Sequence, residues 1–329
     1  MAAAVVLNEE VKLAAHVGHL SSVANPFVKH VVKLRQSSAY RYTSGSLVLV
    51  GDVPLRELCD IVPSKIAKKA FIEYLFLLEG SNAGAFLAQF AQRVVQVTPG
   101  VMHKLSGVQS SQGCNAVGIT SLPSSLCCLE SSLDFFSSLS SWCPCSQRLL
   151  VLDGIQDPGN LGTLLRTAAA FDWVLSTLIH AYQLEDGVFL LNGCCDPFNE
   201  KALRASRGAC FWVPIACGQW DHFQALAKTR KMMLYAGEAQ YKTGMTAENT
   251  DQWHKNKDQI CTPAPEEPGN FKDDSLCLIL GNEGQGLSKE ARVACRRVSI
   301  PMPGKFESLN VAVAGGILLY LLQKKQENM

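Results

Sequence analysis

The sequence predicts an α/β protein built from two domains, and three observations support this. Its 329 residues exceed the length of a typical single domain. Short apolar runs typical of strands alternate with helical segments on both sides of residues 121–147. Residues 121–147 themselves are rich in Ser, Cys and Leu and almost free of charge, which is typical of a linker. We therefore expect a smaller domain over residues 25–120, a linker over 121–147 and a larger domain over 148–325.

The smaller domain is predicted from mixed helix and strand signals. A helix is expected to start at Asn25-Pro26, because Asn caps helices, Pro is favoured in the first turn and apolar residues follow at helical spacing. The remaining predicted elements are strands at 46–50, 74–78 and 114–119, a helix start at 54–60 and a short helix after Val97–Met102.

The larger domain is predicted to contain a parallel sheet. It begins with Arg148–Leu152, an apolar run of the kind that is buried between two helical layers. The chain ends with an apolar helix from Leu309 to about Gln323, and the polar stretch 242–274 is expected to be a surface loop. The other predicted strands are 187–191, 211–214, 233–236, 276–280 and 298–300.

Composition limits the class of protein. A hydrophobic fraction of 47% and a charged fraction of 18% are typical of a globular protein with a sizeable core. The net charge of +1 means that any surface for nucleic acid must be local. No apolar run reaches the roughly 18 residues of a membrane span, so no membrane partner is expected.

Cysteine usage favours a reducing compartment. The thirteen cysteines are odd in number and include adjacent pairs, which do not suit a disulfide framework. Zinc at Cys143 and Cys145 is disfavoured, because their spacing departs from the usual ligand pattern and no His follows at ligand distance. We expect an intracellular location, in the cytoplasm or in an organelle such as a chloroplast or mitochondrion.

Three loops that follow predicted strands of the larger domain carry polar residues. The first contains Asn160 and leads to Arg166, the second contains Glu283, and the third contains Ser308 and Asn310. In an open α/β sheet the loops at the carboxyl ends of the strands are where ligands bind, so these side chains are expected to form one site. Taken alone, the first segment also fits an ordinary helix start with a solvated arginine.

Together the three segments resemble the motifs of the SPOUT-class RNA methyltransferases, in the SpoU/TrmH-like branch that methylates ribose 2′-hydroxyls. The resemblance covers most of residues 148–325. The matching residues are Asn160, Gly162 and Arg166 for Asn-x-Gly-x-x-x-Arg, Gly281 to Gly284 for Gly-Asn-Glu-Gly, and Ile300-Pro301 with Ser308-Leu309-Asn310 for the third motif.

The resemblance implies a trefoil-knotted domain that binds S-adenosylmethionine and forms a homodimer without metal. The positions it implies for the cofactor are Leu280, Gly281, Ile300, Pro301 and Leu309. Arg166, Glu283, Ser308 and Asn310 would face the RNA, with Asn160 supporting Arg166. Because a guanidinium resists deprotonation, we expect Arg166 to bind phosphate and lower the pKa of the hydroxyl, while a phosphate or a water held by Glu283 takes the proton.

The smaller domain resembles, more weakly, the N-terminal substrate-binding domain of this branch, which has a ribosomal-protein-like fold and is associated more with rRNA than with tRNA. The resemblance rests on Asn25-Pro-Phe-Val-Lys29 and Thr98-Pro-Gly-Val-Met102. Residues 29–69 contain eight Lys or Arg against three Asp or Glu, with aromatic residues among them, a mixture that suits RNA. A solvated basic face with two core tyrosines is the alternative. The predicted RNA contacts are Lys29, Lys33, Arg35 and Arg41.

Three features leave alternatives open. Residues 174–185 look like an insertion relative to the family pattern, which argues for a catalytically inactive RNA-binding relative. The intact Arg166, Glu283 and Asn310 argue for an active enzyme, which is the leading interpretation. The Gly-rich loops also suggest a dehydrogenase, but the dinucleotide fingerprint is missing. The apolar terminal helix is either a dimer contact or a fully buried element.

Overall fold

The computed structural model describes residues 18–61, 70–81, 84–108, 114–129, 147–173, 187–238, 262–265 and 275–323. The chain divides into two compact units. Unit 1 runs to Leu122 and includes Phe198–Leu203, and unit 2 consists of Pro123–Pro197 and Arg204–Met329. The predicted insertion at 174–185, the cysteines at 143 and 145, and most of the 242–274 loop lie outside the described residues.

Unit 1 contains a mixed sheet with the strand order β1-β4-β3-β5-β2. Strand β4 pairs in parallel with β1 and β3, whereas β5 pairs antiparallel with β3 and β2. The strands are β1 (His19–Leu20), β2 (Ser46–Val50), β3 (Ile72–Leu78), β4 (Ala91–Val97) and β5 (Ala116–Ser121), and the helices are α1 (Pro26–Gln36), α2 (Ser38–Ser44), α3 (Asp52–Ile61), α4 (Gly84–Ala88) and α5 (Pro99–Ser106).

Helix α1 forms where the sequence predicts it. The Asn25 side chain accepts a hydrogen bond from the backbone N–H of Phe27 at 2.8 Å, and Pro26 occupies the first turn. The buried residues of α1 pack on the sheet around Phe76. They lie one, three or four positions apart, so they share one face of the helix. These residues are Phe27, Val28, Val31 and Leu34.

Unit 2 contains a sheet with the order β11-β13-β10-β12-β7-β8-β9-β6, and its paired strands all run parallel. The strands are β6 (Leu126–Cys128), β7 (Arg148–Asp153), β8 (Gly187–Leu191), β9 (Ile215–Gly218), β10 (Met233–Gly237), β11 (Thr262–Pro263), β12 (Leu276–Gly281) and β13 (Arg296–Ser299). The helices are α6 (Pro158–Ala170), α8 (Trp220–Thr229), α9 (Lys289–Ala294) and α10 (Val311–Leu321), with a 3₁₀ turn at Ala209–Phe211. Helix α7 (Glu200–Ser206) belongs to both units, since its residues 200–203 are part of unit 1.

The neighbouring strands β7 and β12 lie at the centre of unit 2. Their apolar residues are buried, as expected for a parallel sheet covered on both faces. Helix α10 packs closely beside them, because a side-chain carbon at Gly315 would come within 2.4 Å of Leu164 and 2.7 Å of Leu280. The Trp173 indole donates to the carbonyl of Leu319 at 2.7 Å and fixes the last turns of this helix.

The elements that differ from the sequence prediction include three at or beside the strands of the two sheets. Residues 211–214 do not form a strand, because Pro214 has no N–H for a sheet ladder, and β9 begins only at Ile215. Leu126–Cys128, within the predicted linker, pairs with β9 at the edge of the sheet. Ala91–Val97 is a strand that was not predicted. The α/β class with parallel strands is confirmed, while the knot and the ribosomal-protein-like fold remain predictions.

Candidate active site

The three polar loops of unit 2 follow β7, β12 and β13. Strands β7 and β12 pair directly, with Asp153 opposite Gly281, so their loops leave the sheet side by side. The first loop enters helix α6 and the third enters helix α10, and these two helices pack against each other. The parallel sheet therefore brings the loops to one place, as the sequence predicts.

A chain of hydrogen bonds joins the three loops. The Glu283 carboxylate accepts from the Asn160 side-chain amide at 3.1 Å and from the backbone N–H groups of Gln156 and Asp157, both at 3.3 Å. The Asn310 amide donates to the Asn160 side-chain oxygen at 3.1 Å. Asn160 is thus the central link, and one residue from each loop takes part.

Asn310 also caps helix α10. Its side-chain oxygen accepts from the backbone N–H groups of Ala312 at 2.9 Å and Val313 at 3.3 Å. These bonds satisfy two of the N–H groups that a helix start leaves unpaired. The side chain that begins the last helix is therefore also the one that ties this helix to the first loop.

The Glu283 carboxyl is held in its charged form. Burial raises its pKa, but the hydrogen bonds from Asn160 and from backbone N–H groups outweigh burial and hold the pKa below its ordinary value. At neutral pH Glu283 is therefore an anion whose oxygens already accept three hydrogen bonds. Such a carboxylate is a weak base, and its chemistry suits positioning of the loops better than removal of a proton.

Asn282 shapes the turn that carries Glu283, a role that the sequence analysis missed. Its side-chain oxygen accepts from the backbone N–H groups of Gly284 and Gln285, both at 2.9 Å, and its amide donates to the carbonyl of Gly154 at 2.6 Å. A signal was available, because Asn commonly hydrogen-bonds to the backbone two residues onward in turns. Asp153 was also missed, and it accepts from the backbone N–H of Ser288 at 2.8 Å.

Arg166 and Ser308 do not join this hydrogen-bonded group. Both side chains are exposed, and neither side chain makes a hydrogen bond or ion pair with any residue that the structure describes. Asn160 is bonded to Glu283 and Asn310. Its support of Arg166 therefore stays a prediction. Arg166 lies six residues beyond Asn160 on the same helix, about 9 Å along its axis.

The predicted cofactor positions differ in exposure. Leu280 is buried, so its side chain is not presented to a ligand. Gly281 and Ile300 are half-buried, Pro301 is exposed, and Leu309 is 38% exposed. Together these loops offer backbone groups beside a small apolar surface, which is the chemistry that an adenosine and a methionine chain need.

Little among the described residues supports a catalytic nucleophile or a metal site. The Cys194 thiol, next to the first loop, donates to the carbonyl of Leu152 at 3.1 Å, and burial raises its pKa to about 11. It is therefore protonated at neutral pH and is not an activated thiolate. In the part of the chain that the structure describes, no group of His, Cys, Asp and Glu is arranged for a metal ion, and no helix is long and apolar enough to cross a membrane.

The predicted basic residues of unit 1 separate into two groups. Lys29 and Lys33 are exposed on α1, and the Lys33 ammonium lies 4.2 Å from the centre of the Tyr40 ring. Arg41 is only 3% exposed and donates to the carbonyls of Leu34 and Arg35 at the end of α1, so it cannot contact RNA. Arg35 is mostly buried and pairs with Glu200, which lies in the same unit, at 3.6 Å.

A change at Gly281 should break the turn around Glu283. A side-chain carbon there would lie 2.5 Å from the backbone carbon of Gly286 and 2.6 Å from the nitrogen of Leu287, so backbone atoms would have to move. We expect Gly281→Ala to lower the free energy of unfolding by about 1–3 kcal/mol in a denaturant titration. Gly284→Ala is the matched control, since the nearest atom is 3.6 Å away. Equal stability of the two variants would contradict this explanation.

Comparison with known proteins agrees with this architecture. The sequence profile of the SpoU rRNA Methylase family matches residues 147–320. The 23S rRNA (guanosine(2553)-2′-O)-methyltransferase RlmP of Bacillus subtilis is 31% identical over 54% of this chain and 58% of its own length, so the chain covers less than two thirds of that relative. An uncharacterized tRNA/rRNA methyltransferase of Synechocystis sp. is 28% identical over 95% of this chain and 96% of its own length.

The fold is also shared with a solved structure. The crystal structure of an AdoMet-bound rRNA methyltransferase from Sinorhizobium meliloti matches with a TM-score of 0.63 and 23% identity, over 92% of this chain and 96% of that one. The family profile spans more than half of the chain and includes all three loops of the hydrogen-bonded site. The chain belongs to the SpoU rRNA Methylase family.

Proposed function

We propose that this protein transfers a methyl group from S-adenosylmethionine to a ribose 2′-hydroxyl of RNA, with rRNA favoured over tRNA. The observation that carries the proposal is the chain of hydrogen bonds through Glu283, Asn160 and Asn310, which joins the three loops that the family motifs mark. The name of RlmP, a 2′-O-methyltransferase of 23S rRNA, supports this reaction and this substrate class. In this proposal residues 25–120 bind substrate and residues 148–325 form the knotted catalytic domain.

The cofactor would lie against the loops that follow β12 and β13. The backbone at Leu280 and Gly281 and the partly exposed apolar side chains of Ile300, Pro301 and Leu309 fit its adenosine and methionine parts. When bound, S-adenosylmethionine supplies a methyl group on a positively charged sulfur. The protein then has to position the ribose hydroxyl for an in-line approach and to help it lose a proton.

Arg166 is the residue best suited to activate the hydroxyl. Its guanidinium stays protonated in proteins, so it acts as a cation rather than a base. A cation near the hydroxyl lowers the pKa of that hydroxyl and stabilises negative charge that develops on its oxygen. Ser308, exposed near the start of α10, is available to hydrogen-bond the RNA, and a phosphate of the RNA or a water takes the proton.

Methyl transfer from labelled S-adenosylmethionine to total RNA tests the function. The RNA is separated into rRNA and tRNA, digested to nucleosides and analysed by mass spectrometry. Label in 2′-O-methyl nucleosides of rRNA supports the proposal, and label only in tRNA overturns the substrate class. A folded protein that binds RNA and S-adenosylmethionine but transfers no label would instead be the catalytically inactive relative.

A basic and aromatic surface on unit 1 supports RNA as the substrate. His30 accepts or donates a hydrogen bond with the Tyr40 hydroxyl at 2.8 Å, and Lys33 lies over the same tyrosine ring. Burial and the nearby charge of Lys33 lower the pKa of His30, so its ring is neutral at neutral pH. Lys29 is exposed one residue before His30, so α1 presents two ammonium groups beside aromatic rings, which suits phosphates and bases.

Removal of the two lysines should weaken RNA binding in a salt-dependent way. We expect the Lys29→Ala/Lys33→Ala variant to bind rRNA more weakly at low salt and to reduce the slope of log affinity against log salt by roughly one per lysine. Lys104→Ala, an exposed lysine in the last turn of α5, is the control. An unchanged slope in the double variant would exclude α1 from the RNA surface.

A homodimer is proposed through the exposed face of α10. Its inner face is buried, but Val313 and Tyr320, seven residues apart on the same side, are 52% and 44% exposed. Tyr320 also lies 5.4 Å from Phe171, measured between ring centres, which extends this apolar surface. The helix is therefore not fully buried, and the alternative from the sequence analysis does not hold.

A charged residue introduced on the exposed face of α10 should separate the two copies of the proposed dimer. We expect light scattering to give a dimer mass for the natural protein and a monomer mass for Val313→Asp, because a carboxylate in an apolar interface is not compensated. Val293→Asp is the matched control, since Val293 is 67% exposed on α9. A monomer mass for the natural protein would overturn the dimer proposal, and a dimer in both variants would exclude this face.

A further inference from the structure

The segment between β13 and α10 presents an aromatic and a basic side chain to solvent next to each other. Phe306 is 83% exposed, whereas other phenylalanines of unit 2, such as Phe189 and Phe223, are completely buried. Lys305 is exposed and makes no hydrogen bond or ion pair with any described residue. Neither side chain contributes to the stability of the chain itself through such contacts, so both are free to bind a partner.

This pair lies close in sequence to the candidate active site. The segment from residue 303 onward is exposed up to Asn310, whose amide is bonded to Asn160. Phe306 is four residues before that anchor and two before Ser308. Because Asn310 fixes the end of the segment and four residues span at most about 14 Å, the phenyl ring is within reach of a nucleotide next to the ribose that is proposed to bind there.

We propose that Lys305 and Phe306 bind one nucleotide of the RNA substrate, with the phenyl ring stacked on a base and the ammonium group on a phosphate. This inference rests on the proposed function and identifies a contact beside its active site. Stacking on an aromatic ring tolerates any base, so the ring fixes the position of the nucleotide rather than its identity. Glu307 follows as an exposed carboxylate, so the segment has no net positive charge and Lys305 acts as a single phosphate contact.

The two side chains should give different signatures when each is changed in the 329-residue chain. We expect Phe306→Ala to raise the KM for total rRNA by about ten- to a hundred-fold at every salt concentration, and Phe306→Trp to restore it. Lys305→Ala should reduce the slope of log affinity against log salt by about 0.7–0.9. Glu307→Gln is the control for charge in the segment and should strengthen binding slightly. Affinity for S-adenosylmethionine should stay the same in all variants.

Binding of labelled single-stranded polyuridylate, followed by fluorescence anisotropy, separates failure of this inference from failure of the proposed function. If the natural protein transfers no methyl group, the function fails, yet the anisotropy still reports whether Phe306→Ala weakens RNA binding. Unchanged binding and unchanged KM in Phe306→Ala would overturn the inference. An equal loss of S-adenosylmethionine affinity in Phe306→Ala would also overturn the inference, because the ring would then contact the cofactor. A lower mass of Phe306→Ala in light scattering would overturn it as well, because the ring would then lie between two copies of the chain.

Discussion

Methyl transfer by Arg166→Ala is expected to fall by about a hundred- to a thousand-fold, with little change in stability. The magnitude is typical for removal of one group that stabilises charge in a transition state. The stability should hold because Arg166 is exposed and makes no hydrogen bond or ion pair with the described residues. The side chain is therefore available for substrate rather than for the fold.

Arg166→Lys separates charge from geometry. Lysine keeps the positive charge but not the planar fork that binds a phosphate through two hydrogen bonds, so we expect partial activity. The measurement is single-turnover methyl transfer to rRNA together with S-adenosylmethionine affinity, and Lys228→Ala, an exposed residue on α8, is the control. Full activity in Arg166→Ala would remove Arg166 from the catalytic group.

The site could be predicted from sequence to the level of its loops but not of its bonds. Residues Asn160, Glu283 and Asn310 follow parallel strands, and the rule that such loops converge places them together. The partners of Asn160 could not be predicted, because they depend on how helices α6 and α10 pack at Gly315. Motif spacing suggested Arg166 as the partner, but the Asn160 side chain is bonded to Glu283 and Asn310.

The burial of individual side chains was the part of the prediction that failed most clearly. Arg41 reads as a surface cation beside two tyrosines, yet it closes the end of α1 from inside unit 1. A lone sequence does not distinguish an arginine that caps carbonyls from one that meets solvent. Strand β4 was missed for a related reason, since the exposed Val94 and Gln96 alternate with the buried Val95 and Val97 on a half-exposed strand.

Asn310→Asp and Asn310→Ala should separate the two roles of this residue. Alanine removes both the helix cap and the hydrogen bond to Asn160, so we expect a loss of about 0.5–2 kcal/mol in the free energy of unfolding. Aspartate keeps an oxygen for the N–H groups of Ala312 and Val313, and its charge is favoured at a helix start, so stability should be close to natural.

Catalytic activity should depend instead on the hydrogen bond from the Asn310 amide to the Asn160 oxygen. Aspartate cannot donate to the Asn160 oxygen, and if the Asn160 amide turned toward it, the amide oxygen would face the Glu283 carboxylate. Either arrangement breaks the chain through the three loops. We therefore expect kcat of Asn310→Asp to fall at least as far as that of Asn310→Ala, although the aspartate variant is the more stable one.

The measurement is a denaturant titration and single-turnover methyl transfer on the same preparations. Ser288→Ala is the matched control, because Ser288 caps α9 through the backbone N–H of Ala291 but contributes no side-chain bond to the three-loop chain. The Ser288→Ala variant should be less stable, as expected when a helix cap is removed, and should keep most of its activity. If activity across these variants instead followed stability, the amide of Asn310 would act only through the helix it begins, and the hydrogen-bonded chain would have no separate part in catalysis.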